Sequence, residues 1–255
     1  MSPSDIFVQT ERHIQNALAQ LPTWLSRFLG HRGKSLPPSS NLVTCFWGMI
    51  GAFGGVAILN AVFAHSDYFT SRNVPPIVAS FGASAILCYG AIDVPLAQPR
   101  SLIFGHFFSA LVGVIIAVIF DFNLSEDRDT VPSLQWLAAS LATAIALVVM
   151  HLTKTTHPPA GATALLPCVD PEIWALKWYF LPVVLLSSSL VLASALLVNN
   201  FQRQYPKFWV APIPAPVMRS PQRKQHRHRG PPDPEMAERE PQHPSAELRS
   251  LEGAR

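Results

Sequence analysis

The stretch His157-Pro158-Pro159-Ala160-Gly161-Ala162-Thr163-Ala164 sets a proline pair and an ionisable ring between long apolar runs. A proline in the first turn of a helix gives up no hydrogen bond, because the first four N–H groups have no intrahelical partner. The pair therefore predicts a helix that starts at Pro158. Gly161, Ala162 and Ala164 keep the following turns thin, so a neighbouring backbone or a small solute can approach closely. Placed between apolar runs, this helix start predicts a binding site within a membrane.

Outward from that peptide, four runs are long enough to span a hydrocarbon core about 30 Å thick, which needs roughly 20 helical residues. They are Leu42–Ala64, Leu102–Phe120, Leu134–His151 and Trp178–Val198. Two shorter uncharged pieces, Ile77–Ile92 and Pro158–Val169, are each opened by a proline pair. The fold class expected is all-α, a multi-pass transmembrane bundle of four long spans plus two shorter Pro-started helices. Small residues four apart, Gly51 with Gly55, Gly105 with Ser109 and Gly113, and Ser140 with Ala144, suit close helix packing. Gly82-Ala83-Ser84-Ala85-Ile86-Leu87 and Gly161-Ala162-Thr163-Ala164-Leu165-Leu166 share one pattern at an offset of 79 residues. Each half then reads as long run, short piece, long run. Interrupted segments at matching places in two halves are the mark of transporter repeats, so an internal inverted repeat is expected.

Composition supports a membrane domain with polar flanks. The chain has 255 residues, 49% of them apolar and 14% charged. Of 19 Lys and Arg, only five fall between 42 and 200: Arg72, Arg100, Arg128, Lys154 and Lys177. A basic excess beside apolar spans reflects orientation in the bilayer rather than nucleic-acid binding. Cys45, Cys88 and Cys168 are an odd, scattered set in apolar segments and form neither a disulfide framework nor a metal-ligand spacing. Because the first long apolar run begins at Leu42, that run is expected to be an uncleaved first span.

Three regions follow: residues 1–41, 42–200 and 201–255. In the first, Phe7, Ile14, Leu18, Leu21, Leu25 and Phe28 fall on one helical face while Arg12, Gln15 and Arg27 fall on others, with a break expected at Pro22. An interfacial amphipathic helix and a frayed cytosolic segment both fit that pattern. The last region is dense in Pro, Arg, Gln, Glu and His without apolar periodicity, so a disordered basic tail is expected. Its cluster Arg219, Arg223, Lys224, Arg227 and Arg229 suits anionic headgroups or simple solvation. Basic flanks at both ends place both termini on the cytosolic side and make the number of crossings even. Six crossings put Arg100 and Lys154 inside and the acidic loop of Asp121, Glu126, Asp127 and Asp129 outside; four put Arg100 and Lys154 on the outer face.

The chain resembles the HPP family of small multi-pass membrane proteins. Besides His157-Pro158-Pro159, the resemblance is carried by Ser80-Phe81-Gly82-Ala83-Ser84-Ala85, by Pro95-Leu96-Ala97-Gln98-Pro99-Arg100 and by Gly105-His106 with Gly113. It covers roughly residues 42 to 200, with Ser101 where the family pattern leads one to expect Asn. Members in plant plastids and cyanobacteria are associated with nitrite transport, which is what the resemblance implies here.

A helix N-terminus carries unpaired N–H groups and about half a positive charge, so it attracts small anions. In paired halves, the starts at Pro76 and Pro159 are expected to converge near the midplane. Ser80, Ser84, Thr155, Thr156 and Thr163 then offer hydroxyls, His157 a ring donor, and Arg100 and Lys154 charge along the path. Pro158, Gly82, Gly161 and Gln98 complete the candidate substrate-binding set. Each has a plainer reading: Ser84 and Thr163 bonding helix carbonyls or neighbours, Arg100 and Lys154 reaching headgroups, His106 and His151 bonding between helices.

The expected function is a transporter or channel for a small anion, most favourably nitrite, with no covalent catalysis, cofactor or metal. The partners expected are the lipid bilayer, the anion and a possible second copy in a homo-oligomer. A membrane scaffold or receptor signalling through the tail is one alternative. The other, an intramembrane metalloenzyme, requires His106, His151 and His157 to converge.

Overall fold

The computed structural model describes residues 3–33, 40–120 and 134–214. The acidic loop of Asp121, Glu126, Asp127 and Asp129, Lys34 and the basic tail from residue 215 lie outside the described residues. Met1–Pro214 form one compact unit. The described residues are helices and irregular connections, with no strand among them.

Before the first span come α1 (Pro3–Ala19) and α2 (Thr23–Phe28), separated at Pro22 where the break was expected. The first half of the bundle is α3 (Asn41–Ala64), a short α4 (Asp67–Thr70), α5 (Ser80–Ala85) continuing through a π turn to Gly90, and α6 (Pro99–Phe120). The second half is α7 (Gln135–Thr153), α8 (Pro158–Val169), α9 (Pro171–Leu176) and α10 (Phe180–Asn199). Among the described residues four segments, Asn41–Ala64, Pro99–Phe120, Gln135–Thr153 and Pro171–Asn199, are long and apolar enough to cross a membrane.

Local chemistry sets these ends. Ser40 caps α3 by accepting from the Val43 N–H, and Asp170 caps α9 by accepting from Glu172 and Ile173. Lys154 takes the left-handed conformation, with φ of 55°, that closes α7, and the Thr155 N–H returns to the Met150 carbonyl. Pro158 and Pro159 occupy the first turn of α8 as the sequence predicts. The other proline pair behaves differently. Pro75 and Pro76 precede an extended approach, and helix begins only at Ser80, so the expected start at Pro76 is corrected.

Contacts between elements fix their directions. Gly105 lies against His157 and Gly113 against Ala164, so α6 and α8 run parallel. Ser84 meets His157 and Ser80 meets Thr163, so α5 and α8 run antiparallel. The Gln135 amide donates to the Cys168 carbonyl at 3.0 Å, so by Cys168 the chain that left the end of α7 is back beside its beginning. The 12 residues of α8 supply about 18 Å and the stretch Thr155–His157 about 10 Å, together the thickness that α7 spans. Likewise the Tyr89 carbonyl lies beside Gly48 in the first third of α3, its ring reaching on to Gly51 and Gly55, and the Asn199 amide at the end of α10 donates to the Cys88 carbonyl. The described residues thus traverse the bundle six times in alternating directions.

The halves are related by inversion. α3 packs on the α5 segment and on α10; in the other half α7 packs on α8 and on α6. α6 and α10 pack on each other. Exchanging α3 with α7, α5 with α8 and α6 with α10 preserves this pattern and reverses every direction, as the duplicated sequence pattern anticipates.

Residues 201–214, expected to belong to the tail, are instead part of the packed unit. Glu11, 1% exposed, accepts from the Trp209 and Val210 N–H groups at 3.0 and 2.7 Å. Arg27 and Arg32 donate to the Asn200 carbonyl, and Arg203 donates to the Tyr89 carbonyl at 2.8 Å. Burial lowers the Arg203 guanidinium from its usual range while Asp93 acts to raise it. The amphipathic α1 therefore seats against the segment that follows α10, on the same side of the bundle as both ends of the unit.

Candidate functional site

Where α5, α6 and α8 meet, five polar side chains form a buried cluster: Ser80, Ser84, His106, His157 and Thr163, none more than 2% exposed. Ser84 Oγ lies 2.7 Å from His106 Nε2 and 2.9 Å from His157 Nε2. Thr163 Oγ1 lies 2.7 Å from His106 Nδ1 and donates to Ser80 Oγ at 2.7 Å. His157 Nδ1 donates to the Leu96 carbonyl at 2.7 Å. The His106 ring stacks on Phe81, with centroids 4.3 Å apart, and meets the His157 ring edge-on at 4.9 Å.

The backbone builds this cluster deliberately close. Gly105 lets α6 approach the turn that carries Thr155 and His157, bringing the ring of His106 beside that of His157. Gly113 lets the same helix lie on the Ala164 carbonyl. Pro167 inside α8 has no N–H, so the Thr163 carbonyl lacks its regular helical donor. One turn along α6 from His106, the Ser109 hydroxyl is fully buried and has no hydrogen-bond partner among the described residues.

Of the residues singled out from sequence, Ser80, Ser84, His157 and Thr163 come together, and Pro159 is buried in the turn that begins α8. Pro158 is exposed, and Gly161 is half-buried with Thr143 of α7 at 4.0 Å from where a Cβ would stand. Gly82 is exposed with no neighbour near its Cβ position, and Pro76 lies exposed beside Pro171 and Glu172. Gln98 is buried but serves the connection before α6, donating to the Ile92 and Val94 carbonyls and accepting from the Lys207 N–H. Arg100 donates to the carbonyls of Thr153 and Val210 and stacks on Phe7. With Lys154 it lines a pocket of about 300 Å³ on the side of the termini. Thr156 is half-buried, and Thr155 is buried with its hydroxyl on Thr153.

His106 is the residue that reading for helix starts passed over as a site. It bonds between helices, as the plainer reading held, but it does so at the centre of the cluster. Its signal was a ring next to Gly105 in an otherwise apolar run. The three histidines of the metalloenzyme alternative do not converge: His151 is exposed and bonds the Leu147 carbonyl of its own helix.

A bundle of apolar helices in two inverted halves, closed over a buried polar cluster, defines a multi-pass membrane protein. The family model for the HPP transmembrane region matches residues 37–206, and the chain belongs to that family. It is 37% identical over 180 residues to a transmembrane protein of Dictyostelium discoideum, an overlap covering 69% of this chain and 55% of that protein. A second transmembrane protein of the same organism is 34% identical over 189 residues, covering 73% of this chain and 63% of its own length. The chain thus spans little more than half of these relatives. No solved structure matches it.

Proposed function

We propose that this HPP protein carries a small anion across a membrane, nitrite being the substrate that the family resemblance favours. The observation that supports this reading most is the cluster itself. Hydroxyl and imidazole groups from both inverted halves converge where the two short helices cross, within a bundle whose four long segments are apolar enough to cross a membrane. Small oxyanions are bound by hydroxyl and imidazole donors, and the Ser109 hydroxyl, without a hydrogen-bond partner among the described residues, offers one that the cluster itself does not engage. The closed packing corresponds to an occluded form, with inverted halves able to rock about the cluster. In this reading both termini face the cytosol, the protein performs no covalent chemistry, and any homo-oligomer assembles through the exposed apolar faces of α3 and α7.

The test is nitrite flux into liposomes containing the purified full chain, with nitrate, formate and chloride as competitors. Nitrite-selective flux that falls in Ser109→Ala supports the reading. Absence of flux for every anion overturns it and leaves the scaffold, for which the tail from residue 215 would be the region to examine.

A further inference from the structure

We infer that the Ser84 hydroxyl and the two imidazole Nε2 atoms it bridges form a proton-binding site, and that this proton travels with the anion. The inference deepens the transport reading above and rests on it for the coupling, while the proton site itself stands on hydrogen-bond geometry.

The proton positions follow from the partners. The Leu96 carbonyl only accepts, so His157 carries a hydrogen on Nδ1. Thr163 gives its single hydroxyl hydrogen to Ser80, so its contact with His106 requires the hydrogen to be on His106 Nδ1. With both rings neutral, both Nε2 atoms are then bare acceptors. They face one hydroxyl at 2.7 and 2.9 Å, and Ser84 has one hydrogen to give, for which the Ser80 carbonyl at 3.3 Å also competes. A neutral site thus sets a nitrogen lone pair against an oxygen lone pair in a fully buried place, an arrangement that is costly where no water can intervene.

One added proton removes the conflict. One ring becomes an imidazolium and donates its Nε2–H to Ser84 Oγ, and Ser84 donates to the other Nε2. The charge moves between rings when that Nε2–H bond breaks, the hydrogen bonds to Ser84 Oγ, and the hydrogen already on Ser84 passes to the opposite Nε2. Hydronium supplies the first proton, leaving water. Ring centroids 4.9 Å apart disfavour a second charge, so the site holds one proton.

The titratable groups on the packed elements turn away from the rings. On the α5 segment, Cys88 faces the Ala97 carbonyl and Tyr89 faces Ser194. On α6, Arg100 faces the Thr153 and Val210 carbonyls; on α8, Cys168 faces the Gly113 carbonyl. In the connections, Asp93 pairs with Lys207, and Tyr205 donates to the Ala97 carbonyl. Lys154 lies exposed on the turn before His157. Among the described residues these groups, together with His151 of α7 on its own Leu147 carbonyl and Asp170 capping α9, are engaged elsewhere or exposed, so the charge that complements the imidazolium in this site is a bound anion. Proton and anion therefore favour each other's binding.

Two measurements on the full chain test this. Nitrogen-15 imidazole spectra in detergent should show one imidazolium shared between His106 and His157, assigned with His106→Asn and His157→Gln and lost in Ser84→Ala; two neutral rings throughout pH 5 to 8 would overturn the site. In liposomes with trapped pyranine, nitrite uptake should bring in one proton per anion beyond the protein-free control, and a gradient of one pH unit should sustain about a tenfold anion gradient. Nitrite flux indifferent to the pH gradient overturns the coupling while leaving the transport reading intact. If no anion moves at all, it is the transport reading that fails, and the imidazole spectra decide the proton site alone.

Discussion

Gly105 and His157 touch across the parallel pair α6 and α8: a Cβ on Gly105 would stand 2.8 Å from the His157 Cβ and 2.8 Å from the Thr155 carbonyl oxygen. Neither neighbour is the free end of a flexible chain, so helix or turn must move. Gly105→Ala is expected to destabilise the protein by about 1–3 kcal/mol, the usual range for overpacking, and to draw His157 away from Ser84. Gly54→Ala, where nothing lies within 4 Å, should be close to neutral. Equal melting temperatures for the two variants in detergent would count against this packing.

Arg100 was a candidate for charge along an anion path, and the structure gives it another task. Its guanidinium holds the carbonyls of Thr153 and Val210 and lies 3.8 Å from the Phe7 ring centroid, joining the end of α7 to both terminal segments. Arg100→Gln should therefore lower stability, with hydrogen bonds to a charged group worth about 1.5–3 kcal/mol each. Its effect on flux should be the same at low and high salt. A loss that fades as salt rises would return Arg100 to the electrostatic role, since salt screens long-range attraction.

The fold was legible where physics acts locally. Length and apolarity marked the four long segments, Pro158 and Pro159 marked the start of α8, and the hexamer repeat pointed to the inverted halves. The second proline pair misled because nothing forces a helix to begin at a proline. Val74 and Val78 are buried in the extended approach and hold Pro75 and Pro76 outside the helix. The site was legible in part. Ser80, Ser84, His157 and Thr163 lie on the two short helices that drew attention, whereas His106 comes from a long span and joins them only through the depth at which Gly105 and Gly113 let α6 pack. Gln98 shared a motif with the site but faces the loop carbonyls, a direction that sequence spacing does not encode.

The boundary of the membrane unit is itself testable. Composition placed it near residue 200, yet Arg203, 4% exposed, binds the Tyr89 carbonyl and Asn199, and Tyr205 donates to the Ala97 carbonyl at 2.7 Å. Truncation after Pro214 should leave a monodisperse, folded protein in size-exclusion chromatography. Truncation after Asn200 should aggregate, because it leaves the carbonyls of Tyr89 and Ala97 without these donors and α1 without its seat. Equal behaviour of the two truncations would contradict the packing of 201–214.

Thr163 separates a structural role for the cluster from a functional one. Its hydroxyl sits between His106 and Ser80, and its carbonyl faces Pro167, which offers no N–H. Thr163→Val keeps the shape but removes the hydroxyl, leaving His106 Nδ1 and Ser80 without a partner. Losing a buried partner costs about 1–3 kcal/mol, so a folded but less stable protein is expected. Thr163→Ser restores the hydroxyl while removing only a methyl group. If the cluster binds the anion, nitrite flux should fall at least tenfold in Thr163→Val and return in Thr163→Ser, after correction for the amount of folded protein. Flux that tracks stability alone in both variants would assign Thr163 to packing and move the anion path elsewhere in the bundle.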